Sequence, residues 1–119
     1  ESVAVAIVLA RQGKSIDEIK EYVNEHYYKI DFKLDEIRET YKFNETCQDT
    51  VPQAFQAFFE STSFEDAIRN AISIGGDSDT LAAIAGSVAE AYYSVPGWMR
   101  EKALGYLDER LLETFRQFL

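Results

Sequence analysis

The stretch Ile74-Gly75-Gly76-Asp77-Ser78-Asp79-Thr80-Leu81-Ala82-Ala83-Ile84-Ala85-Gly86 decides the fold. A glycine pair closes one apolar segment, and oxygen-bearing side chains follow at once. A long run of small and apolar residues then begins, continuing to about Tyr93. Asp77, Asp79 and Thr80 place two carboxylates and a hydroxyl within four consecutive positions. The run behind them, with Leu81, Ile84, Val88 and Ala91 as inner positions, is too apolar for a surface helix. Ala82, Ala85, Gly86 and Ala89 leave room for neighbouring helices to come close. The cluster is therefore expected where a buried helix meets a cleft.

The segments on either side also read as helices. Val3, Ala4, Ile7, Val8 and Arg11 follow helical spacing, and Gly13 closes them as a C-terminal cap. Ser15 stands three residues before Glu18, the capping-box spacing, and starts a helix with Ile16, Ile19, Tyr22, Val23 and Tyr27 on one stripe. Tyr28 to Asn44 is less regular, with a short helix over Asp35–Tyr41 that points Leu34, Ile37 and Tyr41 inward. Phe43-Asn44-Glu45-Thr46 reads as a turn. Asp49 or Thr50 then caps a helix over Gln53–Phe59 with Pro52 in its first turn, and Phe55, Phe58 and Phe59 are core contacts. Ser63, with Glu65 and Asp66 behind it, starts the next helix, whose inner face is Phe64, Ala67, Ile68, Ala71, Ile72 and Ile74. After the turn Val95-Pro96-Gly97 a last helical part holds Trp98, Leu104, Leu107, Leu111, Leu112, Phe115 and Phe118. No alternating strand-length run, internal repeat or low-complexity linker is present. The fold class is all-α: a compact orthogonal bundle of about six helices forming one domain over 1–119.

Composition narrows the function. Of 119 residues, 46% are hydrophobic and 28% charged, an ordinary globular balance. The net charge of −9 argues against a nucleic-acid partner, because phosphate contacts need clustered Lys and Arg. No stretch has the length of a membrane span. Cys47 is the only cysteine, so no internal disulfide can form, which suits a cytoplasmic location. Nucleophilic catalysis finds little support: Cys47 has no His partner and reads as a small buried residue, and neither Ser78 nor Ser87 stands in a nucleophile elbow. His26, the only histidine, reads as a surface residue in a last helical turn.

Asp77, Asp79 and Thr80 admit two readings. Asp and Thr cap helices, and carboxylates suit the positive end of the helix dipole. Equally, two carboxylates and a hydroxyl are hard-cation ligands. An EF-hand is excluded, since that loop needs Gly at Ala82 and Glu at Val88. The glycine pair would let backbone N–H groups approach an anion, although no P-loop Lys follows.

Gly75 to Gly86 closely resembles the ADP-ribosylglycohydrolases. So do Cys47-Gln48-Asp49-Thr50-Val51-Pro52-Gln53-Ala54, Ser63 to Ala71, and Ala91-Tyr92-Tyr93-Ser94-Val95-Pro96. Ser94 departs from the pattern, which more usually has Gly there. The resemblance implies an all-helical protein that binds two divalent ions, Mg2+ or Mn2+, and hydrolyses the bond between ADP-ribose and a protein side chain or other acceptor. By the same resemblance Asp77, Asp79 and Thr80 are metal ligands, and Gly75, Gly76 and Ser78 lie beside the ADP-ribose. The family's Thr-Asp-Asp-Thr motif and its acidic residue have no counterpart in 1–119. The chain is therefore expected to be the C-terminal part of a larger hydrolase with half of a dinuclear site, one that holds its ions weakly alone. Self-association that completes the core is a further expectation, and a non-catalytic, crystallin-like scaffold or ADP-ribose-binding remnant is the alternative.

Overall fold

The computed structural model describes residues 1–38, 47–75 and 77–117, with residues 47–49 described for the backbone only. Among them are eight helices: α1 Ser2–Arg11, α2 Ile16–His26, α3 Leu34–Ile37, α4 Cys47–Phe59, α5 Phe64–Ser73, α6 Ser78–Tyr93, α7 Gly97–Leu104 and α8 Glu109–Arg116. No strand occurs among the described residues, so the all-α architecture holds. None of these helices is long and apolar enough to cross a membrane.

The helix boundaries follow local chemistry. Gly13, at φ +84°, ends α1: its N–H reaches the Ala10 carbonyl at 3.1 Å and the Lys14 N–H reaches that of Leu9 at 3.1 Å. This is the two-bond glycine cap that lets a chain turn off a helix in a left-handed residue. Ser15 and Glu18 complete both halves of the capping box, each backbone N–H meeting the other's side chain at 3.2 Å. Ser63 accepts the Asp66 N–H at 3.0 Å and so starts α5. His26 is the exposed last residue of α2, with its ring centroid 4.2 Å from that of Tyr22.

α6 is the axis of the bundle and packs against α1, α4 and α5. Its Val88 and Ala89 belong to one apolar cluster with Ala6, Ile19, Phe55 and Phe58; its Leu81 and Ala85 belong to a second with Leu34, Ala71 and Ile74. Ile84 touches both clusters. Small residues permit the close approach. A Cβ added at Gly86 would lie 3.0 Å from Ile68 Cδ1. At the far end of α6 the Tyr93 hydroxyl is bound to Ser61, just beyond α4, which ties the two helix ends together.

Details differ from the sequence reading: eight helices are described where about six are expected, and α1 buries Ser2, Ala6 and Ala10 while Val8 is exposed. α4 begins at Cys47, so Asp49 and Thr50 lie inside it and are not its cap, and Pro52 sits past the first turn. Thr50, Val51, Pro52, Ala54 and Phe55 are all buried, and that packing holds the helix across the missing N–H. Ile72 is 52% exposed. Each helical residue turns about 100°, and the face centred on Ala67, Ala71 and Ile74 leaves Ile72 on the flank. The last helical part is two helices: Gly105 ends α7, and Asp108 caps α8 by accepting the Leu111 N–H at 2.8 Å. Neither of these contains a buried residue. The expected helix over Asp35–Tyr41 is seen as Leu34–Ile37. Tyr41, Phe118, the Phe43–Thr46 turn and the Cys47 side chain lie outside the described residues.

Candidate functional site

The chain enters the candidate site through the end of α5. Gly75 takes φ +76°, a left-handed conformation that suits a glycine after a helix, and an added Cβ there would meet nothing within 4 Å. Its N–H bonds the Ile72 carbonyl at 3.2 Å. Gly76 lies outside the described residues. Asp77 then occupies the N-cap position of α6, its carbonyl accepting the Leu81 N–H at 3.0 Å.

The Asp77 side chain does not behave as a cap. It makes no hydrogen bond to the first-turn N–H groups. Its Oδ2 instead accepts the Thr80 hydroxyl at 2.6 Å. Ser15, Ser63 and Asp108 start their helices with side-chain oxygens on backbone N–H groups, whereas α1 and α7, like α6, have no such bond. At Asp77 the carboxylate is spent on a neighbouring oxygen. The Thr80 hydroxyl gives its proton to Asp77 and keeps its lone pairs available.

Exposure changes sharply along the first turn. Asp77 and Ser78 are half-buried, Asp79 and Thr80 are exposed, and Leu81 is buried. Among the described residues no hydrogen bond or ion pair joins Asp79 to the Asp77–Thr80 couple. Nor is there a group of three or more His, Cys, Asp or Glu side chains placed to hold a metal ion. The donor set is therefore two carboxylates and one hydroxyl, all hard oxygen, of the kind that suits Mg2+ or Mn2+. It fits such an ion in chemistry, with the remainder of the coordination shell to come from water, substrate or other protein groups. The orphan N–H groups of the α6 first turn, left without a side-chain cap, also favour negative charge at this end.

Sequence reasoning missed a polar brace behind the site. Asn70 Nδ2 donates to the Ala57 carbonyl of α4 at 3.1 Å. Ser73 Oγ donates to the Asn70 carbonyl at 2.8 Å, and Arg38 Nε donates to Ser73 Oγ at 3.1 Å. Arg38 also forms an ion pair with Asp35. Asn70 and Ser73 could have been noticed as polar residues one turn apart near the end of an apolar helix. Nothing in the spacing of Arg38 marks it, because its partner is 35 residues away.

A family model described as ADP-ribosylglycohydrolase matches residues 2–118. An uncharacterised protein of Archaeoglobus fulgidus is 36% identical over 67 residues, a match that covers 55% of this chain and 21% of that protein. The match thus spans about a fifth of that protein's length. No solved structure matches it.

Proposed function

The chain belongs to the ADP-ribosylglycohydrolase family, and from that premise we propose that it carries one side of a metal-dependent site for removing ADP-ribose from a protein side chain or small acceptor. One observation carries the reading. The Asp77 carboxylate stands at a helix N-cap, declines the cap, and is held against the Thr80 hydroxyl. An aspartate at an N-cap more commonly accepts from backbone N–H groups.

In this reading Asp77, Asp79 and Thr80 would hold Mg2+ or Mn2+. Bound there, such an ion supplies Lewis acidity toward ribose hydroxyls and toward a water. The chain's own groups do the rest. Asp77, with Thr80 bonded to it, presents a fixed oxygen pair, and Asp79 adds a carboxylate on the solvent side. Ser78 and the backbone at Gly75 and Gly76 would line the ADP-ribose, helped by the uncapped first-turn N–H groups of α6 at its diphosphate. In the overall reaction a water oxygen forms a bond to the anomeric carbon. The bond from that carbon to the acceptor breaks, and a water proton passes to the acceptor. The acidic residue expected to assist the departing acceptor is not assigned to any position in 1–119.

The test is release of ADP-ribose from an ADP-ribosylated protein by the polypeptide that carries these residues, with Mg2+ present. Asp77→Asn and Asp79→Asn should each remove most of the activity, by about a hundredfold or more. Full activity in both variants would overturn the assignment. Calorimetric binding of ADP-ribose and Mn2+ without turnover would favour a binding remnant.

A further inference from the structure

Neither α7 nor α8 contains a buried residue. α8 is nevertheless two-sided. Successive residues turn about 100°, which gathers Leu111, Leu112 and Phe115 on one side and turns Glu113 away from them. Leu111 is 53% exposed and Phe115 38%, and Tyr106, in the turn before α8, is 81% exposed. A helix of this length is marginal in water by itself and draws its stability from packing an apolar face. In α8 that face stands open.

The charges of α8 select what covers it. Glu109, Arg110, Glu113 and Arg116 follow one another as acid, base, acid, base. Read backwards the order is base, acid, base, acid, so α8 is complementary to a reversed copy of itself. Glu109 and Arg116 are both exposed and stand on the same flank of the apolar stripe, beside Leu112. Among the described residues neither has an ion pair. An antiparallel pair of helices puts like flanks face to face, which brings Glu109 of each copy to Arg116 of the other. It also sets the two helix dipoles head to tail.

We propose that two copies of this chain associate through α8, antiparallel, with Leu111 and Phe115 in the seam and Glu109–Arg116 ion pairs along its edge. The apolar side chains supply the burial. The ion pairs set direction and register, since exposed pairs add little affinity. Two short helices cover a small area, so the association is weak and concentration-dependent. Phe115 shares a cavity with Glu90 and Ser94 at the C-terminal end of α6, whereas Asp77 stands at its N-terminal end, so the proposal is independent of the metal reading.

The full chain is followed by sedimentation equilibrium as wild type, Leu111→Glu, Glu109→Arg, Arg116→Glu and the Glu109→Arg/Arg116→Glu double variant, with circular dichroism as the check on folding. Wild type should show a monomer–dimer equilibrium that Leu111→Glu weakens about thirtyfold or more. Each single charge reversal sets like charges together and should weaken it about tenfold. The double variant should recover the wild-type constant, and an equimolar mixture of the two single variants should dimerise more tightly than either alone. Wild type that stays monomeric up to about 1 mM overturns the proposal and leaves the face to a different polypeptide. A dimer that survives Leu111→Glu also overturns it, as does a double variant no tighter than the singles. Should Leu111→Glu lose its helical spectrum, the charge reversals decide, because they change exposed positions alone.

Discussion

The Tyr93 hydroxyl lies 2.9 Å from the Ser61 carbonyl oxygen and 2.8 Å from the Ser61 hydroxyl. The Tyr93 hydroxyl donates to the Ser61 carbonyl, and the Ser61 hydroxyl also reaches the Phe58 carbonyl at 2.5 Å. This one contact joins the end of α4 to the last residue of α6. Tyr93→Phe should therefore cost about 1 kcal/mol, measured by urea unfolding near neutral pH.

The same contact gives a dependence on alkaline pH. Burial raises the Tyr93 pKa above its ordinary 10.0, opposed by the Ser61 hydrogen bond and helped by Tyr92 and Asp66. The protonated form is the one the fold prefers. Its contribution is complete below the unfolded value near 10 and is lost as pH rises through the higher folded value. Stability should decline more steeply above pH 10 in wild type than in Tyr93→Phe, and equal slopes would count against it.

Thr80→Val keeps the shape of the side chain and removes the donor to Asp77. The carboxylate would lose its fixed partner and the site one oxygen. Mn2+ affinity should fall about tenfold by calorimetry, while the unfolding midpoint stays within a degree or two because Thr80 is exposed.

Ser94 follows α6 with φ +68° and ψ 152°, backbone that glycine alone adopts freely. It is also the position where the family pattern more usually has Gly. Ser94→Gly should stabilise the protein by about 1 kcal/mol, read from urea midpoints. A destabilised variant would show that the serine relieves the strain in some other way.

At Gly86 the approach of α5 sets a limit on side-chain size. A Cβ would already stand 3.0 Å from Ile68 Cδ1. Gly86→Val adds two further carbons and should destabilise by about 1–3 kcal/mol, despite the poor helix propensity of the glycine it replaces. Trimming the neighbour in Gly86→Val/Ile68→Val should return part of that loss.

What could be read from the chain depended on how local the physics was. Ser15 with Glu18, Ser63 with Asp66, and Gly13 act within one turn of themselves, and all three behave as their spacing says. α6 was readable from Asp77 to Tyr93 because apolar and small residues run through it without a breaker. Pro52 misled, since its local preference for a first turn is overruled by the buried residues around it. Ile72 misled because an isoleucine beside Ala71 is hydrophobic without belonging to the inner face. At the site, Asp77 and Thr80 could be picked out in sequence, but not the hydrogen bond between them. Arg38 was invisible, since long-range pairs leave no periodicity.

The step from exposed Thr80 to buried Leu81 has a genetic consequence. The part of α6 before the Thr80–Leu81 peptide bond has no buried residue, whereas beyond it Leu81, Ala85, Val88 and Ala89 are buried. Lesions before that bond should yield protein that accumulates normally in cells yet lacks the associated chemistry. Lesions beyond it, at Leu81, Ala85, Gly86 or Val88, should lower the amount of folded protein and leave each surviving molecule competent. An assay that scores abundance and function separately would place the boundary between two adjacent codons.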